Sequence, residues 1–180
     1  MEPVFNPESA SIIAALGNPE SEYAGTYHNV AREAFEAWGI GGFKTPKGKR
    51  FSYAPWGVHT AIRPETYMNE SGGAVAQALG YFKQSPAALV VLHDDADLEP
   101  GAWKFEFGRG DAGHNGVKSI IAALGTKDFW RVRIGTSQTR PGGIRKSAGD
   151  FALAPIRRED AEKFKTAFAE IAEALKSTAA

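Results

Sequence analysis

Residues Gly108 to Gly116 read G-R-G-D-A-G-H-N-G, and the meaning of this stretch decides the fold. Its first six residues spell G-x-G-x-x-G, the turn that seats a dinucleotide pyrophosphate on a helix N-terminus within a parallel βαβ unit. A strand-like alternation, "AWKFEFG", runs into Gly108. A helical pattern, "NGVKSIIAALG", follows, with Val117, Ile120, Ile121 and Leu124 on one face and Gly125 as its stop. Asp128 lies 20 residues after Gly108, the distance at which a ribose-binding acid is expected. Position argues against the dinucleotide reading. The fingerprint belongs to the first βα unit, whereas several elements precede Gly108, and Asp128 stands before "FWRVRIG" rather than at the end of a second strand. With 20 glycines in 180 residues, such a pattern arises readily by chance. The loop therefore reads as a holder of polar side chains, His114 and Asn115, rather than as a cradle for a cofactor.

Outward from this loop, strand and helix signals alternate. "SIIAAL" (11–16) and "ALVVLHDD" (88–95) are short continuous apolar runs that read as buried strands, the second ending in polar residues. "HNVAREAFEAWG" places Ala31, Ala34, Phe35 and Trp38 at helical spacing, with Gly39 closing it. "RFSYAPWGVHTAIR" reads as two strands around a turn near Pro55 to Gly57, and "ESGGAVAQALGYFK" as a helix after Asn69. "FWRVRIGTS" alternates Trp130, Val132 and Ile134 against Arg131 and Arg133, the pattern of a half-exposed strand. The clearest helix follows Pro155, with a stripe of Ala161, Phe164, Phe168, Ile171 and Leu175. Together these predict an α/β fold: a single domain over residues 11–180 with a mixed, twisted sheet and helices on both faces, preceded by a mobile N-terminal extension over residues 1–10. The basic Gly/Pro/Ser-rich loop 137–150 also reads as mobile.

Composition narrows the chemistry. There is no cysteine, so thiolate catalysis, disulfides and Cys-based zinc sites are excluded. No apolar run reaches the roughly 18 residues that suggest a membrane span, and residues 1–10 lack the basic-then-apolar order of a secretory signal. A cytoplasmic location is compatible with both. Net charge is zero, but it is unevenly spread. Residues 43–63 hold Lys44, Lys47, Lys49, Arg50 and Arg63 without an acid, and residues 127–146 hold six cations against Asp128 alone. These are either two solvated loops or one patch able to follow a phosphate backbone.

Five polar residues fall in loops that leave strands or open helices: Asn18, His28, Asn69, Asp94 and Asn115. Each has a plainer role available. Asn69 and Asn115 could cap helices, Asn18 before Pro19 could serve a turn, and Asp94 could end a strand. His28 at a helix N-terminus would have its charged form disfavoured by the dipole, which suits a neutral base. Jointly they describe a histidine base oriented by a carboxylate, surrounded by uncharged amides that can hold a water, a ribose hydroxyl or a developing oxyanion. No serine elbow is present, so direct attack by water is the natural hydrolytic route. A metal reading uses some of the same residues, His93, Asp94, Asp95, Asp97 and His114, but "HDDADLEPG" has neither the H-E-x-x-H spacing nor the EF-hand pattern.

"ALGNPESEYAGTYHN", "PETYMNESG", "VLHDDADLEPG", "GDAGHNGVKSI" and "FWRVRIG" resemble, in order and spacing, the bacterial-type peptidyl-tRNA hydrolases, from about Ser11 to about Leu153. The resemblance implies a monomeric, metal- and cofactor-independent enzyme acting on peptidyl-tRNA, cleaving the ester between a peptide and the 3′-terminal ribose and so recycling tRNA from abandoned translation. It implies His28 as the base and Asp94 as its orienter. Asn18, Asn69 and Asn115 would hold water, peptide backbone and terminal adenosine, and Tyr23, Met68, Gly113 and His114 would line the cleft. Lys104 and Arg133 would meet the tRNA phosphate. Three positions depart from the pattern: Glu20 stands for a usual glycine, Tyr27 for a usual arginine, and Glu106 for the second lysine of a K-x-K pair, where Arg109 or Arg131 would be a substitute. The resemblance also leaves open a relative that binds RNA without cleaving it, and the metal reading leaves open an esterase of another kind.

Overall fold

The computed structural model describes residues 4–7, 9–140, 144–145 and 152–176. Its elements are β1 (Ile12–Ala15), α1 (Val30–Ala37), β2 (Phe51–Trp56), β3 (His59–Pro64), α2 (Ser71–Phe82), β4 (Leu89–Asp95), β5 (Trp103–Phe107), α3 (Asn115–Leu124), β6 (Trp130–Gly135), the two-residue strands β7 (Thr139–Arg140) and β8 (Ile144–Arg145), and α4 (Arg158–Lys176). Six strands form one sheet in the order β2-β3-β1-β4-β6-β5. β1 pairs parallel with β3 and β4, and β4 parallel with β6, while β2 and β5 run antiparallel at the two edges.

The α/β expectation is met: the sheet is mixed and both faces are covered. Ile13, Ala15, Val90, Leu92, Val132 and Ile134 face one layer with Val30, Phe35, Phe164, Phe168 and Ile171, so α1 and α4 lie on that side. Ile12, Ala14, Leu89 and Val91 face the other with Ala74, Val75, Val117 and Ile120, so α2 and α3 lie opposite. This is why the runs 11–16 and 88–95 show no alternation: both faces of these strands are buried. α2 and α3 approach closely, and a Cβ at Gly72 would fall 2.0 Å from the Ser119 carbonyl oxygen.

The glycine-rich stretch is now placed. β5 before it is an antiparallel edge strand, so β5–α3–β6 is not the parallel unit a dinucleotide site requires. The α3 N-terminus is also occupied. His114 Nδ1 accepts from the backbone N–H groups of Gly116 at 3.1 Å and Val117 at 3.3 Å, where a bound phosphate would otherwise sit.

Some local expectations change. The β2–β3 turn falls at Gly57–Val58, and Pro55 pairs opposite Thr60 within β2, an edge strand where a missing N–H is tolerated. β6 is not half-exposed: Arg131 is 1% exposed, because the loop after β5 folds over it and its Nη1 donates to the Gly110 carbonyl at 2.7 Å. The extension at residues 1–10 is anchored where it is described, since Phe5 packs edge-on against Phe105 and Trp130. Residues 1–3 and 8 of that extension, and residues 141–143 and 146–150 of the loop expected to be mobile, lie outside the described residues. Among the described residues, no helix is long and apolar enough to cross a membrane.

Candidate active site

The parallel strands deliver their carboxyl ends to one rim of the sheet, and Asp94, the penultimate residue of β4, is the hub there. It is 5% exposed. His28 Nδ1 lies 2.9 Å from both of its carboxyl oxygens, and His114 Nε2 lies 2.8 Å from Oδ1. The tautomers follow from the partners. Because His114 Nδ1 accepts from two backbone N–H groups, its proton sits on Nε2 and is donated to Asp94. Burial alone would raise the Asp94 pKa, but His114 and His28 outweigh it and hold the carboxyl far below the usual range. The ionised carboxylate can only accept, so His28 carries its proton on Nδ1 and keeps the Nε2 lone pair as a base.

The dipole expectation for His28 is corrected by the structure. His28 belongs to a 3-10 turn, Tyr27–Asn29, and the α-helix begins only at Val30. Burial works against the charged ring, yet the Asp94 charge and hydrogen bond prevail and raise the His28 pKa above its ordinary value. The turn itself is clamped to the segment before α4: His28 N–H donates to the Ala152 carbonyl at 2.7 Å and Tyr27 N–H to the Ala154 carbonyl at 3.2 Å. Tyr27 donates its phenol to the buried Asp160 at 2.5 Å.

A cavity of about 190 Å³ is lined by His28, Asp94, Asp95, Gly113, His114 and Asn115, among others. Gly113 is held with φ at +81°, and Asp111 Oδ1 accepts its N–H at 2.7 Å. Asn115 is not a cap but the first residue of α3, and it is shared between this cavity and a shallow groove containing Asn69 and Lys118. Asn69 is likewise not a cap; it sits exposed in the 3-10 turn Met68–Glu70. Asn18 is 7% exposed, lies beyond β1, and its Oδ1 accepts the Met68 N–H at 2.9 Å. Met68 is 5% exposed and packs under α3, where a Cβ at Gly116 would meet its sulfur at 2.5 Å. Tyr23 is half-buried in the turn after Asn18. The structure thus joins His28, Asp94, Gly113, His114 and Asn115 in one cavity, places Asn69 with Asn115 in the adjoining groove, and places Asn18 in a separate cleft with Asn29 and Arg32.

One contributor was not singled out in the sequence. Asn29 bonds the backbone of Asn18 on both sides, and only its place beside His28 could have drawn notice.

The basic edge is different from expectation. Arg133 Nε donates to Asp95 Oδ2 at 2.6 Å and Nη1 to Glu106 Oε2 at 2.9 Å, so its charge is already matched. Arg131 is buried, and Arg109 is exposed but leans on Glu106 at 3.3 Å. Lys104, paired in register with Arg133, is exposed.

The same donors do not suit a metal. His28, Asp94 and His114 offer ligand atoms within 4.8 Å of one another. The fit fails on donor chemistry: a metal at His114 Nε2 would displace the proton there while Nδ1 remains committed to two backbone donors, which demands an imidazolate. The other residues of the metal reading do not help. Asp95 is taken by Arg133, and among the described residues neither His93 nor Asp97 brings a ligand atom into that group.

An imidazole hydrogen-bonded to a buried carboxylate, in one cavity with Asn115 at the carboxyl ends of parallel strands, is a site suited to proton transfer, and the class that such a site on an α/β sheet fits is the hydrolases. The chain belongs to the peptidyl-tRNA hydrolase family, whose model, described as "Peptidyl-tRNA hydrolase", matches residues 12–180. It is 40% identical over 152 residues to the peptidyl-tRNA hydrolase of Sorangium cellulosum, covering 79% of this chain and 66% of that one. It is 40% identical over 166 residues to that of Bordetella parapertussis, covering 86% and 75%. A crystal structure of peptidyl-tRNA hydrolase from Acinetobacter baumannii superposes with a TM-score of 0.80 at 26% identity, over 97% of this chain and 90% of that one.

Proposed function

We propose that this protein hydrolyses the ester joining a peptide to the 3′-terminal ribose of tRNA, using a water activated by His28. The observation that carries this reading is the Asp94 carboxylate accepting from both His28 Nδ1 and His114 Nε2, which leaves the Nε2 of His28 with its lone pair. His28 Nε2 takes a proton from water as the oxygen attacks the ester carbonyl. Asp94 stabilises the imidazolium, which then protonates the departing 3′-oxygen. Free amide N–H groups of Asn18, Asn69 and Asn115 receive the oxyanion and the polar atoms of peptide and terminal nucleoside. Tyr23, Met68, Gly113 and His114 shape the cleft, and the positive φ of Gly113 lets backbone approach the acyl chain closely.

Lys104 is the phosphate contact on the β5–β6 edge, with Arg133 contributing only when substrate competes it away from Glu106. In this reading residues 11–180 are one catalytic domain, and the enzyme works as a monomer in the cytoplasm, with neither metal nor cofactor. The test is release of tRNA from N-acetylated aminoacyl-tRNA, with and without a chelator. Cleavage that is indifferent to chelator is expected, along with poor cleavage of the unacylated ester, because a buried amide left without a partner is costly. Tight tRNA binding without release would replace catalysis with a binding role, and loss of activity on chelation would restore the metal reading.

A further inference from the structure

We infer that Asn29 is a positioning residue that holds Asn18 as a pure hydrogen-bond donor toward the ester, an inference that rests on the hydrolytic reading above. Asn29 is 3% exposed and adjoins His28 in the same 3-10 turn. Its Oδ1 accepts the Asn18 N–H at 2.9 Å and its Nδ2 donates to the Asn18 carbonyl at 3.0 Å. These are the two bonds a neighbouring strand would make. They are supplied by a side chain because the strand ladder has ended: the last bond of this run is Leu16 N–H to the Leu92 carbonyl at 3.0 Å.

A third lock fixes the Asn18 side chain, whose Oδ1 accepts the Met68 N–H at 2.9 Å. A flipped carboxamide would set its NH₂ group against that N–H, donor to donor, so the orientation is determined. With backbone N–H, backbone C=O and Oδ1 all committed, the one polar group Asn18 retains is its Nδ2 pair of N–H donors. Such a donor suits a carbonyl oxygen and, still better, the oxyanion that replaces it. The base and this donor are then set on one rigid turn, His28 directly and Asn18 through the amide of the next residue.

The test is a double-mutant cycle on kcat and KM for N-acetylated aminoacyl-tRNA, with Tm measured for each protein. Asn29→Ala should lower kcat roughly tenfold or more while KM moves little, because a misplaced donor loses transition-state rather than ground-state stabilisation. Asn29→Asp, nearly isosteric, keeps the acceptor for Asn18 N–H but opposes the Asn18 carbonyl with a second acceptor, and should lose kcat in the same way even if Asn29→Ala folds poorly. In an Asn18→Ala background each substitution should change kcat less than about twofold, since the group it positions is gone. Equal fold losses in both backgrounds would mark Asn29 as merely structural and overturn the inference, as would full activity of both variants. A wild-type protein that cleaves nothing would overturn the hydrolytic reading and this inference with it.

Discussion

Asp94 and Asp95 are chain neighbours at the end of β4, both buried, yet they serve opposite ends. The Asp94 carboxylate, 5% exposed, receives imidazole N–H groups, from His28 and His114. Asp95, 7% exposed, receives the Arg133 guanidinium at 2.6 Å and the Asp97 N–H at 2.8 Å. Neighbouring side chains on a strand point to opposite faces, so the two carboxylates meet different partners although both line the cavity. The difference lies in what the partner can give up. A histidine can lose its proton near neutral pH, whereas a guanidinium cannot. One carboxylate therefore sets the protonation of an imidazole, and the other neutralises a cation permanently.

The largest break in this comparison comes from removing the base. His28→Ala should reduce kcat by about 10²- to 10⁴-fold while circular dichroism and Tm stay near wild type; unchanged turnover would remove His28 from the mechanism. Asp94→Asn sharpens the contrast through pH. The base must be unprotonated, so the rate rises with pH through the His28 pKa. In the wild type that pKa is raised by Asp94, and the acid limb should lie above about 6.5, the value of an unperturbed histidine. Without the Asp94 charge, burial alone acts on the ring, so the limb should move to lower pH as the plateau falls. Asp95→Asn should leave the limb where it is. A limb that moves equally in both variants would erase the distinction between the two carboxylates.

Tyr27→Phe tests the support beneath the catalytic side. The phenol is buried against Asp160, and Arg157 Nε also donates to the phenol oxygen, at 3.3 Å. Removing it leaves a buried carboxylate short of one donor, at a cost of about 1–3 kcal/mol, readable by urea denaturation. The catalytic loss should be smaller than for His28→Ala, because the backbone bonds from Tyr27 and His28 to Ala154 and Ala152 remain.

The fold was legible wherever residues act through periodicity. The runs 11–16 and 88–95, the α3 face of Val117 and Ile120, and the α4 stripe of Phe164, Phe168 and Ile171 all land in the two apolar layers. The hub of the site was legible for another reason: His28 and Asp94 are polar residues at element ends, where loops converge. Three things were hidden. The N-cap of α3 is His114 rather than Asn115, because a ring nitrogen can accept from Gly116 and Val117 as an Asn oxygen would. Asn29 acts on a residue 11 positions away, which no local pattern encodes. Arg131 looks like a surface charge in an alternating strand, but a loop distant from it in the pattern covers it.

The smallest expected effect bears on the Asp95 side and on the acid that shares Arg133 with it. Glu106 meets Arg133 at 2.9 Å and Arg109 at 3.3 Å, and both arginines in turn hold its pKa down despite burial. As long as it does so, Arg133 offers a polyanion little net charge, and exposed Lys104 carries the edge. Glu106→Gln would free one arm of Arg133 while Asp95 keeps the other at 2.6 Å. The hydrolysis of the N-acetylated substrate at saturating concentration should then be unchanged, because nothing at Asp94 moves. KM should fall modestly, and the slope of log affinity against log salt should steepen by about one unit, the signature of one added phosphate contact. A slope identical to wild type would mean that Asp95 alone suffices to silence Arg133, and that this edge does not follow the substrate backbone at all.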